Sequence, residues 1–434
     1  MTRFWCEYAW LGDPKKLPVA GVNVDVDGDR ITAIAVGPGG GPAGSHRLYG
    51  LTVPGFANAH SHAFHRALRG RTHGGTGSFW SWRSQMYALA ERLTPERYHA
   101  LAQATFAEMA LAGFTCVGEF HYLHEPGMGE AVVAAAAEAG VRLTLLDTCY
   151  LHGGIGQPVN DAQRRFSDGD VDGWINRVSS IDSTSLMRVG AAVHSVRAVD
   201  PSSIAEVARW AASMGAPLHA HVSEQPAENE ECLVAYGRTP TGVLAEAGAL
   251  SDQFTAVHAT HLTTHDVALY AASGAAVCLC PTTERDLADG IGPSGALRSA
   301  RIPMCMGTDS HAVIDAFEEM RAVELDERLA SLSRGTHQPV ELMALGSANG
   351  YRSLGWPDGG RIAVGALADF VTLNFASVRL AGAEPTSLAA VVFDAAAPDI
   401  HHVVVGGQVV VRGGVHCSIN VRAALSAALG EVWA

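Results

Sequence analysis

Lysine is almost missing from this chain. Lys15 and Lys16 are the only two among 434 residues, so 28 of the 30 basic residues are Arg. Codon bias in a GC-rich genome accounts for that, but the absence also limits which metal sites the chain can build. Positive charge as a whole is short: the formal net charge is -14, which argues against a nucleic-acid partner and otherwise favours solubility. No stretch approaches eighteen apolar residues without a charge, so no membrane span is expected. Met1 to Glu7 lacks the basic start and long apolar run of a secretion signal. The eight cysteines are scattered, with no Cys-x-x-Cys pair; Cys278-x-Cys280 sits in an apolar run and reads as packing. Reduced thiols in the cytoplasm are the expectation. No Gly-rich phosphate loop follows an early strand, which argues against an open, doubly wound nucleotide-binding sheet.

What is present is ample apolar material, 48% of the chain, enough for one large barrel with a smaller domain. The first fifty residues alternate as short strands, with a hairpin signal at Asp27-Gly28 and a Gly/Pro-rich loop over 38–44. The tail repeats the pattern around Ala368–Leu373 and His402–Val411. Neither end can bury a core alone. We expect residues 1–52 and 362–418 to form a composite β-sandwich, followed by a C-terminal helix within 419–434.

Between them, over 53–361, buried-strand runs alternate with helical stretches. Eight strands are expected, near Leu51–His62, Phe114–His121, Arg142–Tyr150, Arg188–Val196, Pro217–Val222, Thr255–Thr260, Ala275–Cys280 and Pro303–Asp309. Helices are expected between most of them. This order predicts a (β/α)8 barrel, whose chemistry sits at the C-terminal strand ends. Those ends carry His60 and His62; Glu119 and His121; His194; His219, His221 and then Glu224; His258 and His261; Asp309 and His311. One such histidine is most simply a core or surface residue. So many at the strand ends of one barrel point to a shared site. In the first strand, His60 and His62 share a face, because side chains alternate along a strand.

His60-x-His62, His221, His258 and Asp309 on these strands resemble the amidohydrolase superfamily, over nearly the whole chain. The resemblance implies a distorted (β/α)8 barrel beside a small β-sandwich. Two-metal members commonly bridge their ions with a carboxylated strand-four lysine, which this chain cannot supply. The run His219-Ala220-His221-Val222-Ser223-Glu224 is similar to the deaminase branch, which implies one divalent ion, Zn2+ or else Fe2+, on His60, His62, His221 and Asp309. His219 would then be structural. A metal in such a site lowers the pKa of its water towards ~7. The resemblance makes Glu224 the proton shuttle and His258 the stabiliser of the tetrahedral adduct, with Asp309 orienting the attacking oxygen. Glu224 also suits a helix N-terminus, where a carboxylate is favourable.

The segments Ser78–Tyr87, Glu119–His124, Gln163–Phe166, His194–Arg197 and Val257–His261 are similar to the deiminases that convert N-formimidoyl-L-glutamate to N-formyl-L-glutamate and ammonia in histidine degradation. That implies substrate contacts from Arg83, Tyr122, His194 and Arg197, a dicarboxylate amidine as the small-molecule partner, and a homodimer. Arg suits carboxylate because its planar fork binds both oxygens, although surface arginines are common in an Arg-rich chain. Position 65 departs from the pattern: His65 stands where the group carries Gln. It can donate a hydrogen bond and, if protonated, would suit a carboxylate. Arg83 is expected in a long loop after strand one, and 73–77 as a lid. Two other readings are a deaminase of nucleobases or other amidines, expected to use aromatic stacking rather than two arginines, and a metal-binding barrel without catalysis.

Overall fold

The computed structural model describes the chain except Pro38, Gly75, Thr76 and Ser78, so part of the expected lid and the first residue of the 38–44 loop lie outside the described residues. Eight parallel strands stand side by side in chain order: Phe56–Ser61, Phe114–His121, Arg142–Cys149, Met187–Val193, Leu218–Val222, Phe254–His258, Ala276–Leu279 and Met304–Met306. They form a nearly closed barrel wrapped by helices. Most of these strands are buried along their whole length. Helix boundaries follow local chemistry. In Pro201–Met214, the Asp200 side chain accepts the Ser202 and Ser203 N–H groups, proline opens the first turn, and Gly215 ends the helix at φ 60°.

The first and last barrel strands meet at a thin seam. Asp309 N–H donates to His60 O at 3.0 Å, and Ser61 and Asp309 form a single parallel bridge. Beside it the Asn58 side chain accepts the Thr308 N–H at 2.9 Å and donates to Thr308 Oγ1 at 2.7 Å.

Both chain ends enter one mixed sheet of eight strands. Its centre is His46–Pro54 lying between Thr2–Ala9, parallel, and Phe370–Leu373, antiparallel. The sheet curls around its own core of Phe4, Val24, Val26, Ile31, Phe370 and Val404. A buried ion pair fastens it to the barrel: Arg142 Nε meets Asp369 Oδ2 at 2.6 Å, both side chains 0% exposed. The helix Val421–Trp433 packs on Pro95–Leu111.

Two local expectations change. The run Leu51–His62 is two strands in different sheets, divided at Gly55. A Cβ there would lie 2.1 Å from Thr115 Oγ1, so only glycine lets the chain pass this close to the second barrel strand. Arg83 lies on a helix, Phe79–Ala90, rather than a loop. Phe79, Met86, Leu89 and Ala90 turn one face of that helix inward.

Candidate active site

The barrel mouth gathers the strand-end residues into one buried cluster. On the first strand, His60 Nε2 and His62 Nε2 lie 3.2 and 3.4 Å from Asp309 Oδ1. His221 Nε2 approaches His60 Nε2 at 3.1 Å. One nitrogen of each of these three histidines and one oxygen of Asp309 lie within 4.8 Å of one another, so the four residues could hold a metal ion. Backbone carbonyls set the ring orientations: His62 Nδ1 pairs with Phe120 O at 2.9 Å and His221 Nδ1 with His194 O at 2.8 Å. A carbonyl can only accept, so each Nδ1 carries the proton and each Nε2 presents a bare lone pair. Burial holds His60, His62 and His221 below the ordinary imidazole pKa, and hence neutral. Burial would raise Asp309, but its hydrogen bond with His60 and the positive charge of nearby His258 hold it well below the usual carboxylate range.

His258 and Glu224 stand beside these four. His258 Nε2 is 3.6 Å from Glu224 Oε1 and 3.8 Å from Asp309 Oδ2, while its Nδ1 is 3.4 Å from Glu284 Oε1. Burial lifts Glu224 to about 7. Burial opposes charge on His258, yet Glu224, Glu284 and Asp309 together raise it to about 10. The backbone is strained here: Ser223, His258, Ala259, Asp309 and His311 all have positive φ, five of the eight such non-glycine residues among those described. Strain of ~1–3 kcal/mol per residue, concentrated at strand ends, is typical of functional sites.

A small cavity, about 50 Å³, lies over the cluster. Arg83, Tyr122, His194, Arg197 and His65 all line it, together with His62, His221, Glu224, His258 and Asp309. Arg83 and Arg197 flank one aromatic ring, their guanidinium carbons 5.6 and 5.9 Å from the Trp80 centroid. His65 does not supply a third cation. Burial pulls its pKa to about 3, and its Nε2 pairs with Tyr122 OH at 3.1 Å. A larger cleft of about 630 Å³ opens outside the barrel, beside the helix Met128–Ala139 and Arg177, and holds none of the converging ligands.

Other histidines fall outside the cluster. His219 pairs with Ser353 O at 2.9 Å, His261 with Asp289 O at 2.8 Å, and His401 and His402 lie on the small sheet. His311 bridges Thr308 Oγ1 and Ser61 Oγ at 2.9 and 3.3 Å. Four residues that sequence reasoning left without a role support the site. Glu119 accepts from Ser61 Oγ at 2.8 Å and from Ala63 N–H at 2.7 Å. Glu284 faces His258. Glu228 accepts the Glu224 N–H at 3.2 Å and faces Arg197 Nε at 3.7 Å. Gln163 stands behind Arg83. Glu119 carried a signal, as a carboxylate at a strand end, and Gln163 opens one of the segments similar to the deiminases; Glu228 and Glu284 lie on connecting segments whose course the sequence does not reveal.

Residues 51–410 match the amidohydrolase family. The chain belongs to that family. This amidohydrolase is 35% identical to a formimidoylglutamate deiminase from Pseudomonas aeruginosa, with 91% of this chain and 92% of the relative covered. It is 29% identical to a 5-methylthioadenosine/S-adenosylhomocysteine deaminase from Natronomonas pharaonis over 90% and 89%. Among solved structures, an amidohydrolase from Brucella melitensis superposes with a TM-score of 0.92 at 32% identity, with both chains fully covered. An adenosine deaminase from Xanthomonas campestris with bound zinc superposes at 0.87 and 22% identity, over 99% and 97%, sharing the fold.

The donor set of this amidohydrolase fits a divalent metal. Two bare imidazole lone pairs, a third neutral imidazole and an ionised carboxylate crowd one point, with no proton donor available from His62 or His221. Such an array repels itself unless a cation occupies its centre. Three nitrogens and one oxygen suit zinc or iron.

Proposed function

We propose that this amidohydrolase hydrolyses N-formimidoyl-L-glutamate to N-formyl-L-glutamate and ammonia. The observation that carries the reading is that two arginines, Arg83 and Arg197, line the same small cavity as Glu224, His258 and Asp309. Arg83 and Arg197 would take the two substrate carboxylates, and Tyr122 and His194 would border the chain between them. A divalent ion held by His60, His62, His221 and Asp309 would supply an activated water. Glu224, ionised, takes a proton from the attacking water and passes it to the terminal nitrogen. The water oxygen bonds to the formimino carbon, the bond from that carbon to the terminal nitrogen breaks, and both water protons leave with the nitrogen as ammonia. His258, protonated, stands within reach of the growing negative charge. Its Nδ1 faces Glu284, which fixes the ring and leaves Nε2 for the reacting centre. Eight free thiols, seven of them buried, are compatible with a reducing cytoplasm.

Purified protein loaded with zinc or iron should release ammonia from N-formimidoyl-L-glutamate. A panel of formimidoyl-aspartate, guanine, cytosine and 5-methylthioadenosine supplies the comparison. A nucleobase or nucleoside turned over faster than the dicarboxylate would overturn the assignment.

A further inference from the structure

We propose that Gln163 is a positioning residue for substrate charge: through the hydroxyls of Tyr87 and Tyr150 it fixes the Arg83 guanidinium without neutralising it. The inference rests on the reading of a carboxylate-bearing substrate.

Gln163 is 2% exposed and sits between the third and fourth barrel strands. Its Oε1 accepts the Asn160 N–H at 3.0 Å, which fixes the amide's orientation. The NH2 group therefore faces the phenols, and it donates to Tyr150 OH at 2.9 Å and Tyr87 OH at 3.1 Å. Arg83 approaches the same two oxygens from the other side. Its Nε donates to Tyr87 OH at 2.7 Å and its Nη2 to Tyr150 OH at 3.5 Å. Each phenolic oxygen thus accepts from an amide and from a guanidinium.

The chemistry of this clamp is unusual for a half-buried guanidinium. Arg142 and Arg177 are tied to aspartates, and Arg197 faces Glu228. Arg83 has no acidic partner among the described residues; its hydrogen bonds there go to two phenol hydroxyls, and the uncharged rings of Trp80 and Tyr87 lie 5.6 and 5.3 Å from its guanidinium carbon. Burial pushes the Tyr150 hydroxyl pKa up, so it stays neutral. Neutral oxygens orient a cation but do not cancel its charge, so an incoming carboxylate meets nearly the full attraction. The uncharged amide at 163 is essential to that balance. A carboxylate there would turn both phenols into donors towards itself and place a counter-charge one hydroxyl away from Arg83.

The test compares metal-loaded wild type, Gln163→Met and Gln163→Glu on N-formimidoyl-L-glutamate and on N-propylformamidine, which has no carboxylate. Gln163→Met should raise KM for the dicarboxylate ~10-fold, the worth of a weakened charge-assisted contact, with kcat within ~3-fold. Gln163→Glu should raise it further, and neither should change turnover of N-propylformamidine. In an Arg83→Ala background, Gln163→Met should add nothing. Tyr87→Phe, which removes the 2.7 Å acceptor, gives a second route should the Gln163 variants fold poorly, and predicts the same split between substrates. Equal losses on both substrates, or additive losses with Arg83→Ala, would overturn the inference. Calorimetric titration with glutarate separates it from the proposed function. A wild type that binds glutarate more tightly than Gln163→Met, yet does not hydrolyse the dicarboxylate, supports the clamp and refutes the substrate. A wild type that hydrolyses the dicarboxylate, with Gln163→Met and Tyr87→Phe unchanged in KM, refutes the clamp alone, and a wild type that neither binds nor hydrolyses refutes both.

Discussion

Replacing Glu119 with alanine should loosen the metal site without touching a ligand. Glu119 is fully buried and receives three hydrogen bonds: Ser61 Oγ at 2.8 Å, Ala63 N–H at 2.7 Å and Tyr98 OH at 3.3 Å. Ser61 and Ala63 bracket His62, and Ser61 also separates it from His60, so the carboxylate grips the backbone that spaces two ligands. When it is removed, two of the donors have alternatives. Ser61 can turn to His311 Nε2 at 3.3 Å and Tyr98 to His121 Nδ1 at 3.4 Å. The Ala63 N–H has no other acceptor among the described residues. One orphaned buried donor costs ~1–3 kcal/mol, and two lengthened bonds add to it, so ~3 kcal/mol is expected in all. Spread over an unfolding entropy of ~2.1 cal/mol/K per residue, that lowers Tm by ~3 °C. The part that reaches the ligands should weaken metal affinity ~10–100-fold, the usual consequence of losing a group that orients metal ligands. Glutamine can keep its oxygen on Ala63 and offer its NH2 to Ser61, so Glu119→Gln should stay within ~10-fold of wild type. Competition against a chromophoric chelator reads the affinity, and scanning calorimetry of the metal-free protein reads the stability. An alanine variant with lowered Tm but unchanged metal affinity would refute the reasoning, leaving Glu119 as part of the general fold.

Glu224→Gln should retain metal and lose at least ~10²-fold in kcat, the usual worth of a general acid–base, and a near-normal rate would remove its shuttle role. Glu224 must be ionised to accept a proton and burial places it at about 7, so kcat/KM should fall as pH drops below that midpoint, or below a lower one once a bound cation stabilises the carboxylate; a rate that rises into acid would contradict this. Arg142→Met strands Asp369 as a buried charge and should cost ~3–5 kcal/mol, seen as a Tm lower by ~3–5 °C, with part recovered in Arg142→Met/Asp369→Leu. Burial works against ionised Asp168, yet Arg177 and His124 hold its carboxyl below the usual range. Its stabilising contribution is therefore complete above its unfolded pKa of ~4 and fades as pH falls towards the folded value, so Asp168→Asn should flatten the acid side of a Tm–pH curve.

The barrel and its cluster of strand-end residues were legible because a strand repeats every two residues and ends where its apolar run ends. That rule places His60 with His62 and brings Glu119, His221 and His258 to the same mouth without knowledge of any contact. It gave no warning at Gly55, where two buried strands of different sheets abut with no polar residue between them. Nor could it read the helix Phe79–Ala90, whose short apolar face follows a Gly- and Ser-rich approach that resembles a loop. His65 posed another difficulty. Its identity suggested a cation for carboxylate, but imidazole charge depends on burial, which is fixed by Phe64, Trp82 and Tyr122 packing around it.

The seam between the first and last strands shows why the ligand geometry depends on tertiary closure. Asp309 bonds through its backbone to His60 and through its bridge to Ser61, and its carboxylate faces the rings of His60 and His62. A residue that only closed the sheet could keep ordinary strand angles. A residue that only faced the ligands could sit on an unstrained loop. Asp309 does both at φ 40°, a conformation that costs ~1–3 kcal/mol outside glycine. Asn58 offsets that strain by pairing both its amide ends with Thr308, one residue earlier. The two sides are separated by 250 residues of chain. The ligand set therefore comes together only when the barrel closes, and the bonds that close it run through the same residues that would hold the ion.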